Sequence, residues 1–336
     1  MDVTLEKKIR ALRSGAAYES TGEPIEAIET HFAWVFLSAS HAYKMKKPLR
    51  WHGLDFTTLA ARKHSCEEEV RLNRRLAPSV YLGAVPLVCR EDGTLHVGGA
   101  GHIVDWLVVM RRLPSHLMLD HAIAAGTAAT LPVESVGELL ADFYERQPPI
   151  DFSPSAYVHR MTAAIELDLA ELSAPDLNLP RRFVGSVADE AQEACGRVRA
   201  DLESRARERR IVEGHGDVRP EHVCLSDPPC IIDALEFSLD LRTIDPGEEL
   251  AYLSIECERL GDISPAERVL DRYLQVSRDP IPERLIDFYR CRRAMVRAKL
   301  VAWRLRDPAL REDPSWGERV QAYLTKAHEY AGRVLG

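Results

Sequence analysis

Along the first third of the chain the apolar positions recur at two different periods. His31 to Leu49 contains two short runs, FAWVFLS and HAYKMKKPL, with a break at Ala39-Ser40, and predicts two strands joined by a tight turn. In the second run a period of two puts Ala42, Lys44 and Lys46 on one face and Tyr43 and Met45 on the other. From Thr57 to Leu76 the period lengthens. Leu59, Cys66, Val70, Asn73 and Leu76 recur at helical spacing, on a helix that also carries Glu67, Glu68 and Glu69. Val80 to Val97 predicts strands around a turn at Glu91-Asp92-Gly93. Ile103 to Met110, IVDWLVVM, is a continuous apolar strand bounded by Gly101 and Pro114.

Beyond Ser115 the pattern turns helical. LPVESVGELLADFYERQ predicts one amphipathic helix, and Ser186 to Arg210 another that ends in the charge run RARERR, expected to be a solvated face. Ser264-Pro265-x-Glu267 is expected to be a capping box with proline at the first helical position. Helices are predicted for Glu283 to Arg304 and Trp316 to Leu335, and a short one for Val3 to Leu12. The segments 151–156 and 173–180 are expected to be loops.

Composition narrows the class. With 336 residues, 46% of them hydrophobic and 29% charged, the chain can bury a sizeable core as two domains or one two-lobed domain. A net charge of −8 argues against a general nucleic-acid or anionic-membrane partner. No apolar run approaches the roughly 20 residues of a membrane span. The N-terminal stretch MDVTLEKKIRALRSG lacks the apolar core of a signal peptide. Seven cysteines, without any C-x-x-C pair, fit reduced thiols. A cytoplasmic protein is expected, of undetermined oligomeric state.

The chemistry concentrates in HGDVRPEHVCLSDPPCIIDALEF, His215 to Phe237. Asp217 follows a His-Gly turn, His222 follows five residues later, and the apolar strand Cys230-Ile231-Ile232 ends in Asp233. Two carboxylates so placed, on either side of a proline-containing turn, suit phosphoryl transfer. One orients the attacking hydroxyl and the other holds a magnesium ion against the phosphates. This pattern resembles the H-G-D-x-x-x-x-N motif, followed by an apolar strand ending in Asp, of the aminoglycoside phosphotransferase-like kinases. They are a branch of the protein-kinase-like fold. The wording around it, including LNRRLAPSVYLGAVPL, is closer still to an uncharacterised bacterial group of that superfamily, sometimes fused to a P-loop ATPase domain. In this chain His222 stands where the motif has Asn, and no Phe-Gly follows Asp233.

The resemblance implies an α+β, two-lobed protein-kinase-like fold. A small antiparallel-sheet lobe with one main helix would occupy 1–112, and a larger, mostly helical lobe 113–336. His-Ala-Tyr-Lys, residues 41–44, reproduces the small-residue-to-Lys spacing of the kinase strand V-A-I-K, which makes Lys44 the phosphate-binding lysine; Lys46 shares its face. Glu69 is the implied helical partner of that lysine, with Glu67 and Glu68 as its competitors. The adenine-binding hinge falls at Met110 to Leu113. Asp217 is the base or positioner of the acceptor hydroxyl, Arg219 lies toward the γ-phosphate, and Asp233 with His222 holds the metal. Asp245 and Glu249-Leu250-Ala251 support the catalytic loop.

The implied activity is transfer of the γ-phosphate of ATP, with Mg²⁺, to a hydroxyl of a small molecule. Lys44, Asp217 and Asp233 would meet around one triphosphate. An imidazole is a softer ligand than an amide oxygen, which would also admit Mn²⁺. Three roles are open to His222: metal ligand, hydrogen-bond partner of Asp217, or mark of a site that binds nucleotide without catalysis. HFAWVFLSASH has no glycine for a backbone phosphate cradle, which also fits a pseudokinase with a nucleotide-binding regulatory role. A metal-dependent hydrolase using His215, Asp217, His222 and Asp233 is a third reading. Arg293, Arg297 and Lys299 form either a substrate-phosphate patch or ordinary surface.

Overall fold

A computed structural model describes residues 3–18, 24–51, 54–307 and 313–336. The chain divides into two compact units. The first is Met1–Met118 together with Cys230–Leu239; the second is Leu119–Pro229 together with Asp240–Gly336. The segment carrying Asp233 therefore packs with the sheet rather than with the helices that flank it in sequence.

The first unit runs α1 (Leu5–Arg13), β1 (Glu26–Glu29), β2 (Ala33–Leu37), β3 (His41–Lys46), β4 (Arg50–Trp51), β5 (Leu54–Asp55), α2 (Leu59–Asn73), β6 (Tyr81–Cys89), β7 (Leu95–Val97) and β8 (His102–Arg111). Six of these strands form one antiparallel sheet in the order β1-β2-β3-β8-β6-β7. Phe36, Met45, Leu87 and Leu107 bury one face of it against Leu12 of α1. The opposite face of β3 offers Ala42, Lys44 and Lys46. Helix α2 begins at Thr58, whose hydroxyl accepts from the Ala61 N–H at 3.1 Å. Strand β1 was not foreseen. EAIE has no apolar alternation and is mostly exposed, so only backbone pairing with β2 makes it a strand.

A buried carboxylate ties both helices to this sheet. Asp105 of β8, 1% exposed, takes Lys8 of α1 at 2.8 Å on one oxygen and Arg62 of α2 at 2.6 Å on the other.

The second unit holds α3 (Leu119–Ala124), α4 (Glu134–Glu145), α5 (Pro154–Leu172), α6 (Arg181–Arg197), α7 (Arg199–Arg207), β9 (Val212–Glu213) and β10 (Val223–Cys224). After β11 (Cys230–Ile231) of the first unit come α8 (Leu239–Arg242), β12 (Thr243–Ile244), α9 (Pro246–Arg259), α10 (Ser264–Val276), α11 (Glu283–Ala302) and α12 (Pro314–Leu335). β9 pairs antiparallel with β12. Among the described residues no helix is long and apolar enough to cross a membrane.

Several expectations for this half change, among them the single helix over 186–210, which is two, α6 and α7, parted at Val198. Residues 151–156 are not wholly loop: Ser153 caps α5 by accepting from the Ala156 N–H at 3.2 Å, with Pro154 in its first turn. Ser264 does not cap α10 but is its first helical residue; Ile263 holds the cap position without a side-chain bond, and Asp262 before it accepts from the Ser264 backbone and hydroxyl at 3.0 and 2.7 Å. RARERR is not all solvated face. Arg205 is 2% exposed and bound to Asp245 at 2.6 Å and to Asp279, which also accepts from Tyr273 at 2.8 Å.

Replacing Asp105 by Ala strands Lys8 and Arg62 without their buried counter-charge. A loss of about 3–5 kcal/mol is expected, read by denaturant unfolding of the intact chain. A loss within the error of the method would show that the pairs do not hold α1 and α2.

Candidate active site

Strand β3 delivers Lys44 to a cluster of carboxylates within the first unit. Its Nζ lies 2.9 Å from Glu69 Oε1 on α2 and 2.5 Å from Asp233 Oδ1. Lys46, two residues on and on the same face, lies 2.5 Å from the other oxygen of Glu69 and 2.6 Å from Glu236 Oε1. Ser65 donates to that same Glu236 oxygen at 2.9 Å. Ser65, Cys66, Glu69, Val70 and Asn73 form the buried stripe of α2. Glu67 and Glu68 lie off it, paired with Lys63 at 3.2 Å and Arg71 at 2.7 Å. Glu69 is thus the member of the triplet that reaches Lys44.

Asp233 is set by its backbone. Its N–H donates to the Tyr81 hydroxyl at 3.0 Å, and the Ala234 N–H donates to Asn73 Oδ1 at 2.9 Å. Asn73 in turn donates to the Glu69 carbonyl at 2.8 Å, so one amide joins α2 to this segment. Asp233 has φ of +64°, a left-handed conformation that Asp tolerates better than most residues. Burial alone would lower the pKa of Lys44, but Asp233, Glu69 and Glu236 outweigh it and hold the ammonium well above its ordinary value. The same balance, chiefly with Glu236 and Glu69, raises Lys46. Met110 is buried near the end of β8, opposite Ala42 and Tyr81; Leu113 is half-buried just beyond the strand.

The turn between β1 and β2 contains no glycine. Thr30 closes it by donating to the Ala33 carbonyl at 2.9 Å and accepting its N–H at 3.0 Å. Phe32 of that turn packs against Phe237 with ring centroids 6.2 Å apart.

In the second unit a loop after β9 carries Asp217. A Cβ at Gly214 would lie 2.6 Å from Ile244 and 2.8 Å from Glu249, so the backbone passes too close for any side chain. Glu249, fully buried on α9, accepts from the backbone N–H groups of His215, at 3.1 Å, and Gly216, and from the Tyr144 hydroxyl at 2.5 Å. Burial raises its pKa despite these donors. Asp217 Oδ1 accepts from the Tyr252 hydroxyl at 3.0 Å and forms an ion pair with Arg219, whose Nε lies 3.0 Å away. Burial pushes the Asp217 carboxyl up, but Arg219 first, with Arg297, outweighs it and holds it below the usual aspartate range.

His222 sits in the turn Pro220–His222 with both ring nitrogens engaged. Nδ1 lies 2.8 Å from the Asp217 carbonyl oxygen, and 3.5 Å from its Oδ2, and so carries the proton. Nε2 is left as the acceptor facing Arg219 Nη2 at 3.2 Å. A metal ligand needs a nitrogen lone pair directed at the ion, and in this arrangement Nε2 faces Arg219. Among the described residues no group of three or more His, Cys, Asp or Glu could hold a metal ion. The four-ligand hydrolase set therefore finds no support. Nor do the basic residues of α11 form a patch. Arg293 pairs with Glu248 at 2.9 Å, Arg297 with Glu256 at 2.7 Å, and Lys299 with Asp168.

Sequence reasoning did not find Tyr81, Glu236 or Tyr252. Glu236 was within reach, three residues past Asp233 in the motif-bearing stretch. The two tyrosines carry no local signal, because only tertiary packing brings their hydroxyls to Asp233 and Asp217.

The fold is that of small-molecule kinases. The structure superposes on a choline/ethanolamine kinase family protein from Mesorhizobium loti with a TM-score of 0.56 and 15% identity, over 97% of this chain and 95% of that one. For a thermostable mutant of the aminoglycoside phosphotransferase APH(4)-Ia the TM-score is 0.50 at 9% identity, over 92% and 94% of the two chains. The chain thus has the α+β protein-kinase-like fold of the aminoglycoside phosphotransferase-like group. Uncharacterized proteins of Mycobacterium tuberculosis and Mycobacterium bovis are each 32% identical to it over 288 residues, 84% of this chain and 56% of theirs. The chain spans about half the length of these curated relatives. No protein-family model matches it.

Asn73→Ala removes the amide that the Ala234 N–H requires, and should cost about 1–3 kcal/mol, measured by thermal unfolding. The ion pairs also set a pH window. Glu236 is held below its ordinary 4.5, so its stabilisation is present above that pH and is lost as pH falls through the folded value. Lys44 and Lys46 are held above their ordinary 10.5, so theirs is present below that pH and is lost as pH rises through the folded values. Unfolding free energy should be flatter toward acid in Glu236→Gln than in the unaltered chain; identical acid limbs would contradict the assignment.

Proposed function

We propose that this chain is an ATP-dependent phosphotransferase that moves the γ-phosphate to a hydroxyl of a small molecule. The observation that carries the reading is Lys44 in contact with both Glu69 and Asp233. Within one unit this supplies the cation that neutralises phosphate oxygens, the carboxylate that aims it and the carboxylate for a divalent ion. Asp233 offers hard oxygen on a side chain 42% exposed, which fits Mg²⁺. A bound Mg²⁺ would neutralise charge on the phosphates. His222, with both nitrogens occupied, is assigned to holding Asp217 and Arg219 instead.

Asp217 is the positioner of the acceptor hydroxyl. Its depressed pKa makes it a weak proton acceptor, which suits a loose phosphoryl transition state in which orientation matters more than basicity. Arg219, paired with Asp217, is assigned to the charge of the transferred group. A second reading, a pseudokinase that binds nucleotide in a regulatory role, is favoured by His222: the motif's amide oxygen is absent, and the imidazole Nε2 faces Arg219.

Purified protein separates the two. ATP with Mg²⁺ or Mn²⁺ should raise the melting temperature, and Asp233→Ala should abolish that rise while His222→Ala leaves it in place. Against a panel of hydroxylated metabolites, Asp217→Ala should lower ATP-dependent phosphorylation by about 10²-fold or more while ATP binding survives. Binding without phosphorylation of any acceptor by the unaltered chain would favour the pseudokinase. Where turnover is found, an Asp217-dependent acid limb should fall below about pH 3.9; a limb between pH 5 and 7 that vanishes in Asp217→Asn would contradict the positioning role.

A further inference from the structure

Two lysines of β3 face α2, and only one of them is placed for phosphate. Lys44 is 14% exposed at its side chain and touches Asp233, itself 42% exposed. Lys46 is 3% exposed and is enclosed by Glu69, 0% exposed, and Glu236, 6% exposed. A triphosphate has no access to a cation so enclosed. Yet a buried lysine with two carboxylates is costly to desolvate, and an apolar pair would fill the same space. Its connections point to what it does. Lys46 belongs to β3, which carries Lys44. Its partner Glu69 belongs to α2, and Glu236 lies three residues beyond Asp233 and is held again to α2 through Ser65 at 2.9 Å. The pair therefore joins the three segments that present Lys44, Glu69 and Asp233.

We infer that Lys46 and Glu236 are a positioning pair that fixes Glu69, and through it Lys44, for the phosphates of a bound nucleotide. The inference rests on the phosphotransferase reading and deepens it. Lys44 must exchange a partner when phosphate arrives, because one ammonium holds both Glu69 and Asp233 before binding. If Glu69 had only Lys44 for a counter-charge, that exchange would loosen Glu69 just when it is needed to aim the ammonium. Lys46 holds the second oxygen of Glu69 at 2.5 Å and has no phosphate to exchange it for. Glu236 cancels the charge of Lys46, so the anchor adds no net charge beside the phosphates.

The test compares the unaltered chain, the double variant Lys46→Met with Glu236→Leu, and Glu236→Gln. The double variant removes the pair at constant net charge and similar volume. Calorimetric titration with ATP and Mg²⁺, and separately with adenosine, isolates the phosphate contribution, since adenosine does not engage Lys44. In the double variant ATP should bind about tenfold more weakly, with adenosine unchanged to within about twofold. Glu236→Gln should show the same selective loss to a smaller degree.

Unchanged ATP affinity in a folded double variant overturns the proposal. So does an equal loss for ATP and adenosine, which would mark general scaffolding. Loss of the folded state in both variants would assign the pair to stability alone and overturn it as well. Failure of the unaltered chain to bind ATP strikes the phosphotransferase reading itself. Intact binding there, with an unaffected double variant, strikes only the positioning role.

Discussion

A carboxylate with no solvent-exposed surface must be matched by positive charge, and Glu69 is that carboxylate. Desolvating a charge costs several kcal/mol in a protein interior unless a partner repays it. On β3 the period-two alternation places two lysines on the side facing α2, and each takes one oxygen of Glu69. The sheet face, the helix and the segment bearing Asp233 are thereby held by one set of charges. The other face of β3, with Met45 in the apolar core, fixes the strand against which those charges act. Packing on one side of a single strand thus supports electrostatics on the other.

The same device recurs wherever this protein needs precision. Asp105 joins two helices to the sheet through Lys8 and Arg62. Asp245 caps α9 and holds Arg205, while Glu249 on that helix gathers two backbone N–H groups of the loop before Asp217. In each case a buried acid is placed by a helix or strand and satisfied by donors from a distant segment. Removing one member leaves the other buried and uncompensated, which makes these contacts specific as well as strong.

His222 shows how a motif position can change its task. The related motif has an amide there, whose oxygen is a hard ligand. The imidazole here spans the Asp217 carbonyl and Arg219, so it bears on the geometry of the loop that carries Asp217. Asp217 itself is held below the usual aspartate range, chiefly by Arg219 beside it.

Much of the architecture was legible along the chain because periodicity is local. The alternation in HAYKMKK, the helical stripe from Leu59 to Asn73 and the apolar run IVDWLVVM each record which side meets a core. The carboxylates of His215 to Phe237 were visible for the same reason. Their spacing is a property of the backbone. Strand β1 and the burial of Arg205 were not visible, since an edge pairing and a salt bridge to Asp279 depend on residues remote in sequence. The difference in surroundings between Lys44 and Lys46 was of that kind too. Both occupy one face of one strand, so local pattern cannot tell them apart. Only the tertiary structure could, because Glu236 and Asp233 reach β3 from nearly two hundred residues away and neutralise one lysine in the interior while leaving the other at the exposed carboxylate.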